Sequence, residues 1–290
     1  MRYDIAIIGT GPAGISAAIT AKLRNKNIIL FGNKDLSDKI NKAHSIKNYT
    51  GLPNVTGEEL ATALKNHLND LDIEITEKRV NAVYSMGEYF ALQVGKEMIE
   101  SKSLIIATGV TASKTLENED EFLGRGVSYC ATCDAHFCKG KDVAVIAYTK
   151  EAEEDALFLS EVCSSIKYFP LYDISNEIFD KYGNIQIIKD KPIGFAGNMK
   201  AEKIICENSS YDAFSTFVVR NNISADKLVP GLKTDDTHII VDLQMETNIK
   251  GLFACGDIAG KPYQYIKSAG QGNIAALSAV AYLANKSKGE

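Results

Sequence analysis

The chain has 290 residues, with 45% apolar and 24% charged side chains and a formal net charge of −5. That composition excludes a disordered, collagenous or coiled-coil chain, and the length points to two domains able to bury their cores without disulfide staples. A net-negative chain is a poor sequence-independent ligand for nucleic acid, and six cysteines are too few for a disulfide scaffold. No apolar run reaches the roughly 18 residues of a membrane span. Met1-Arg2-Tyr3-Asp4 leads straight into a strand-like run without the regions of an export signal, so a cytoplasmic location is expected.

Residues 3–8, Tyr-Asp-Ile-Ala-Ile-Ile, predict a short buried strand. Gly9-Thr10-Gly11-Pro12-Ala13-Gly14 follows and runs into a predicted helix over 15–23. G-x-G-x-x-G between a strand and a helix is the arrangement that takes a dinucleotide pyrophosphate. Gly9 permits the turn, Gly11 lets the backbone approach the phosphates, and Gly14 lets helix and strand pack closely. The helix N-terminus supplies free N–H groups. A second strand is predicted over 27–31. The acid that would meet a ribose is not evident, since Asp35 has the spacing but lies past that strand. Lys34, Lys39, Lys42 and Lys47 read either as a solvated loop or as a docking surface for an acidic electron donor. A further strand, Leu104-Ile105-Ile106, leads to Ala107-Thr108-Gly109.

Cys130-Ala131-Thr132-Cys133-Asp134 is the chemical centre. A C-x-x-C pair on a turn or helix start brings two sulfurs close enough for a reversible disulfide, and its surroundings can hold one thiol as a thiolate near neutral pH. Asp134 is placed to protonate a leaving thiolate. Zinc would need four ligands, and here His136 and Cys138 are poorly spaced with no second pair, so no metal is expected. His136 reads as a structural histidine or a proton-transfer group, and Cys138 stays open. Cys163, Cys206 and Cys255 are isolated and read as buried structural thiols.

Near the C-terminus, 251–257 predicts a short strand ending in Gly256-Asp257, and 268–273 opens a helix to about residue 283. Asp257 is suited to accept hydrogen bonds from ribityl hydroxyls, and the helix N-terminus to face the flavin edge where negative charge collects.

The order Gly9–Gly14, Asn48-Tyr49-Thr50-Gly51, Thr56-Gly57-Glu58-Glu59-Leu60, Ala107–Gly109, Cys130–Asp134 and 251–257 resembles the low-molecular-weight flavoprotein thioredoxin reductases over nearly the whole chain. The resemblance implies an α/β fold of two Rossmann-like, three-layer ββα domains of the dinucleotide-binding type, the second inserted in the first. An FAD-binding domain spans 1–112 and 243–290, and a domain carrying the C-x-x-C pair spans 113–242. It also implies a homodimer, and FAD contacts from Pro12, Ala13, Lys39, Asn48, Val80, Ala107, Thr108, Gly109, Gln264, Tyr265 and Ile266. In that family FAD reduces the disulfide and the dithiol reduces thioredoxin. Carried over by position, Cys133 faces the flavin, Cys130 attacks thioredoxin and Asp134 is the acid.

Residues 3–8 recur as 141–146, Lys-Asp-Val-Ala-Val-Ile, which puts Ala147, Thr149 and Ala152 where Gly9, Gly11 and Gly14 stand. In the family this second turn is glycine-rich and cradles NADPH. Here a side chain at Thr149, the bulk of Tyr148 and acids at 151, 153, 154 and 155 oppose a phosphate. The stretch 166–173 has no arginine for a 2′-phosphate, and Tyr263-Gln264 replaces the family's Arg-Gln pair. Residues 113–242 hold 14 basic and 22 acidic residues, a net −8. The chain therefore resembles the pyridine-nucleotide-independent, ferredoxin-linked branch. Reduced ferredoxin is the expected donor and thioredoxin the expected acceptor. The alternatives are the same disulfide chemistry with a deazaflavin or NADPH donor, or a non-catalytic flavin-binding redox sensor.

Overall fold

The computed structural model describes residues 2–41, 43–110, 115–175, 177–220, 224–235 and 238–287, apart from the side chains of Asp38, Thr132, Cys133 and Ser287. The elements in chain order are β1 (Tyr3–Ile8), α1 (Pro12–Leu23), β2 (Ile28–Phe31), α2 (Asp38–Asn41), α3 (Gly57–Asp70), β3 (Ile75–Thr76), β4 (Val80–Ser85), β5 (Phe90–Val94) and β6 (Glu97–Ile106). Then come α4 (Glu119–Phe122), β7 (Val127–Ser128), α5 (Ala131–Asp134), β8 (Asp142–Ala147), α6 (Ala152–Ser160), β9 (Ser165–Pro170), β10 (Ile185–Ile187), β11 (Pro192–Gly197), β12 (Ala201–Cys206), β13 (Ser210–Asp212) and β14 (Ser215–Val219). The last are α7 (Ala225–Leu228), β15 (Thr234–Asp235), β16 (His238–Ile239), β17 (Leu252–Ala254) and α8 (Tyr265–Ser287).

The chain divides into two compact units, Met1–Thr111 with Ser224–Glu290, and Ala112–Ile223. One α/β unit is thus inserted in another, as expected. The chain returns to the first unit at 224, however, and not at 243. The reason is packing: α7 buries Ala225 and Leu228 and contacts β4, and Ile239 of β16 is also buried within the first unit.

In the first unit the sheet runs β3-β2-β1-β6-β5-β4, with β17 also paired to β6. The N-terminal half of β6 pairs antiparallel with β5, while its C-terminal half lies between β1 and β17, parallel to both. Burial follows the pairing. Ser103, Leu104, Ile105 and Ile106 are fully buried, because a parallel strand covered on both faces is sealed from water. α1 begins with Pro12, whose missing N–H costs nothing in a first turn. Its small buried residues Ala17, Ala18 and Ala21 let it lie close to α8, where a Cβ on Gly272 would meet Ala13 O at 2.0 Å. α8 runs past both predicted ends, from 265 to 287. Thr56 and Glu59 form a reciprocal capping box that starts α3.

In the second unit the parallel sheet runs β10-β9-β8-β14-β7, with an antiparallel sheet β11-β12-β13. Val143 to Ala147 are fully buried in the central strand. The chain leaves β8 through α6 to β9 on one side and lays β14 on the other. The order therefore reverses between β8 and β14, and the crevice beyond their C-terminal ends is where such sheets take ligands.

Candidate functional site

The loop after β1 fits a dinucleotide. Gly9 adopts φ +119°, and a Cβ there would meet Ala107 O at 2.2 Å. A Cβ on Gly14 would meet Gly9 O at 1.8 Å, whereas one on Gly11 would meet nothing within 4 Å. The protein itself therefore requires glycine at 9 and 14, and Gly11 faces open space, as the approach of a pyrophosphate demands. α1 has no side-chain cap and no acid in its first turn, so its leading N–H groups remain available and the dipole favours an anion. Thr10 ties the loop to the end of β2: its Oγ1 donates to Asn33 O at 3.0 Å and accepts from Asn33 N at 3.1 Å.

Asp257 lies in a 3-10 turn, Gly256–Ala259, directly after β17. Its carboxylate accepts from Lys39 Nζ and from Ser268 Oγ, each at 3.2 Å. Lys39 Nζ also donates to Val110 O at 3.1 Å, just past Thr108 and Gly109, and Tyr265 OH donates to Lys39 O at 2.7 Å. Asn48 Nδ2 donates to Gln264 Oε1. Five of the residues expected at the cofactor thus come together from distant segments. Ile266 is partly exposed at the start of α8, and Val80 is buried at the start of β4 opposite Val94. The lysines of the basic stretch differ in their partners. Lys39 is held at Asp257, Lys34 pairs with Glu77 at 3.4 Å, Lys47 is exposed, and Lys42 lies outside the described residues. Asp35 is exposed and pairs with Lys65 at 3.3 Å.

Sequence reasoning missed Lys267. Its ammonium donates to Gly256 O at 2.9 Å and to Gly260 O at 2.6 Å, clasping the chain on both sides of Asp257. Burial lowers its pKa, and the Asp257 charge opposes that shift. A lysine in a first helical turn runs against the dipole, so nothing local announces it.

Cys130 follows β7, is 8% exposed, and is disulfide-bonded. Cys133 falls in the single-turn α5, with its side chain outside those described. Ser128 Oγ donates to Asp134 Oδ2 at 2.7 Å and accepts from Cys130 N at 3.1 Å. His136 is exposed and its ring lies 3.8 Å from that of Phe137, which is itself 69% exposed. Cys138, Cys163, Cys206 and Cys255 are free and buried. Burial pushes the Cys138 thiol up, Cys163 to about 11, and Cys206 and Cys255 to about 12, so all four are poor nucleophiles at neutral pH. Among the described residues no group of three His, Cys, Asp or Glu is placed to hold a metal ion.

A buried ion pair with two tyrosines gathers near the C-terminal ends of β8 and β14. Arg220, at the end of β14, is 7% exposed and forms a two-point ion pair with the fully buried Glu119 through NH1 to Oε1 and NH2 to Oε2, the latter at 2.7 Å. The Tyr148 ring lies 4.5 Å from the guanidinium, and Tyr129 OH donates to Glu119 Oε1 at 2.7 Å. Burial pushes the Glu119 carboxyl up, but its bonds from Arg220 and Tyr129 outweigh this and hold it below the usual carboxylate range. Thr149 is buried, and Glu153 at the start of α6 accepts from Tyr172 OH at 2.7 Å. The sequence reading noted Tyr148 and Thr149 but not Arg220.

The sequence model of the pyridine nucleotide-disulphide oxidoreductase family matches residues 3–147, and that of the glucose inhibited division protein A family matches 234–287. A thioredoxin reductase of Mycoplasma genitalium is 30% identical over 296 residues, covering 95% of this chain and 93% of that protein. Two solved structures of ferredoxin-flavin thioredoxin reductases from Clostridium acetobutylicum are also similar. One is 50% identical with a TM-score of 0.83, covering 99% of each chain. The other is 44% identical with a TM-score of 0.92, covering 98% of this chain and 99% of that one.

Proposed function

The chain belongs to the pyridine nucleotide-disulphide oxidoreductase family and is a flavoprotein disulfide oxidoreductase of the thioredoxin reductase kind, and from that premise we propose that reduced ferredoxin, not NADPH, supplies its electrons. The observation that carries this reading is the buried ion pair near the strand ends of the second unit. Beside the turn after β8, the counterpart of Gly9–Gly14, Arg220 is already paired with Glu119 and stacked against Tyr148, and the first turn of α6 is acidic. The likeness to two ferredoxin-flavin enzymes supports it.

When bound, FAD takes electrons singly and passes them on as a pair. Gly11 and the N-terminus of α1 would hold the pyrophosphate, and Asp257, steadied by Lys39, Ser268 and Lys267, would receive the ribityl hydroxyls. The disulfide of Cys130, with Cys133 as its assigned partner, takes up two electrons and two protons and becomes a dithiol. Cys130 then attacks the disulfide of thioredoxin, the second thiol resolves the mixed disulfide, and the same two electrons and protons leave on thioredoxin. Asp134 moves the proton at the leaving sulfur.

Anaerobic mixing tests the donor. Reduced ferredoxin is expected to bleach the flavin absorbance and drive thioredoxin reduction, while millimolar NADPH leaves the spectrum unchanged. Rapid NADPH-driven turnover of the unmodified protein removes the proposal.

α8 leaves Ile266, Ile274 and Leu277 exposed at helical spacing, which we read as the face of a homodimer. Sedimentation velocity is expected to give twice the chain mass, and Leu277→Glu to shift it toward the monomer. A wild-type monomer at micromolar concentration excludes this face. No helix among the described residues is long and apolar enough to cross a membrane. A dithiol cycle fed by ferredoxin fits a reducing compartment, so we assign the protein to the cytoplasm.

A further inference from the structure

Ser128 closes β7 two residues before Cys130, and only 6% of it is exposed. A buried hydroxyl requires partners, and three atoms lie within reach. Cys130 N donates to Oγ at 3.1 Å, Asp134 Oδ2 lies at 2.7 Å, and Cys130 O lies at 3.4 Å. A hydroxyl has one proton to give, and the short contact to the carboxylate takes it. One side chain therefore links the backbone of Cys130 to the carboxylate of Asp134. α5 spans only Ala131–Asp134, too short for helix propensity to hold it in place, and Asp134, which precedes the 3-10 turn Ala135–Cys138, makes no side-chain cap bond to that turn. Through the Ser128 bond the strand fixes Oδ2 and leaves Oδ1 for proton exchange.

We infer that Ser128 is a positioning residue of the redox centre, setting Asp134 as the proton donor to the sulfur released from the Cys130 disulfide. The inference rests on the disulfide reductase reading. Reduction of the disulfide takes up two electrons, which a bound flavin would supply, and two protons, one for each sulfur. One sulfur leaves as a thiolate and takes its proton from the Asp134 carboxyl, which recovers a proton from water. Oxidation by a disulfide substrate runs the same transfer backwards.

The test uses the FAD-loaded protein reduced with dithionite and freed of excess reductant. Re-oxidation is then timed across pH with a small aromatic disulfide and, separately, with thioredoxin. Ser128→Ala is expected to slow both by about tenfold or more, short of the roughly 10²–10⁴-fold cost of losing a general acid altogether. The pH–rate profile should change along with the rate, because the carboxylate that exchanges the proton loses the hydroxyl bonded to it. Ser128→Thr should restore both rate and profile. In an Asp134→Asn background Ser128→Ala should add nothing, since it acts through Asp134. An unshifted profile, a loss that threonine fails to repair, or additive effects in the double variant overturns the inference. Exchange with the small disulfide but not with thioredoxin sinks the thioredoxin reading and leaves the Ser128 result intact.

Discussion

Protein carrying Gly14→Val is expected to lose FAD and much of its stability, whereas Gly11→Ala should fold with an unchanged unfolding midpoint and bind FAD weakly. The two glycines are three residues apart and differ in what surrounds them. At Gly14 a new Cβ would lie 1.8 Å from Gly9 O and 2.9 Å from Gly9 C. Both are backbone atoms, and Gly9 is itself pinned against Ala107 O. Overpacking a core costs about 1–3 kcal/mol, and more where the colliding atom cannot rotate away. Relief would push α1 off β1, taking with it the N–H groups that receive the pyrophosphate. At Gly11 a Cβ would enter empty space, so its only conflict is with the cofactor. Flavin absorbance per chain and the denaturant midpoint separate the cases. A yellow, fully stable Gly14→Val protein would show that the loop is not held as described.

Glu119→Gln is expected to destabilise the second unit by about 3–5 kcal/mol, the cost of breaking a buried ion pair and leaving its partner uncompensated. Arg220 would keep its charge with 7% exposure, and its Nε already lacks a partner. Replacing both residues, Glu119→Leu with Arg220→Met, should lose less, since two apolar groups leave no orphaned charge. Urea midpoints compare the variants, and a Glu119→Gln protein as stable as the wild type would contradict the ion pair. The pair also gives stability a pH dependence. Glu119 is held below its unfolded value, so its contribution is complete above the ordinary carboxylate range and is lost as pH falls through the lower folded value. Neither variant should gain NADPH-driven turnover, because Thr149 and the acidic first turn of α6 remain.

The dinucleotide loop, the strands on either side of it and the redox pair were legible in the sequence because their chemistry is local. Gly9, Gly11 and Gly14 stand within six residues, β1 and its repeat β8 are apolar from Ile5 and from Val143 onward, and Cys130 directly precedes α5, which carries Cys133 and Asp134. The expectation that no NADPH binds rests on local features too, since the side chain at 149 and the acids at 151, 153, 154 and 155 stand close together in the chain. Contacts between residues far apart in the chain were not. Lys39 and Asp257 are 218 residues apart and meet only because β17 pairs beside β6. Glu119 and Arg220, 101 apart, meet at the reversal in strand order between β8 and β14. Either residue alone reads as a solvated surface charge. The return of the chain at 224 likewise depends on α7 finding a buried place against β4, which its four residues do not signal. Lys267 breaks a helix-end preference that the carbonyls of Gly256 and Gly260 overrule once the loop has folded. Patterns of spacing are written in the order of residues, but the pairing of buried charges depends on which strand ends the sheet brings together.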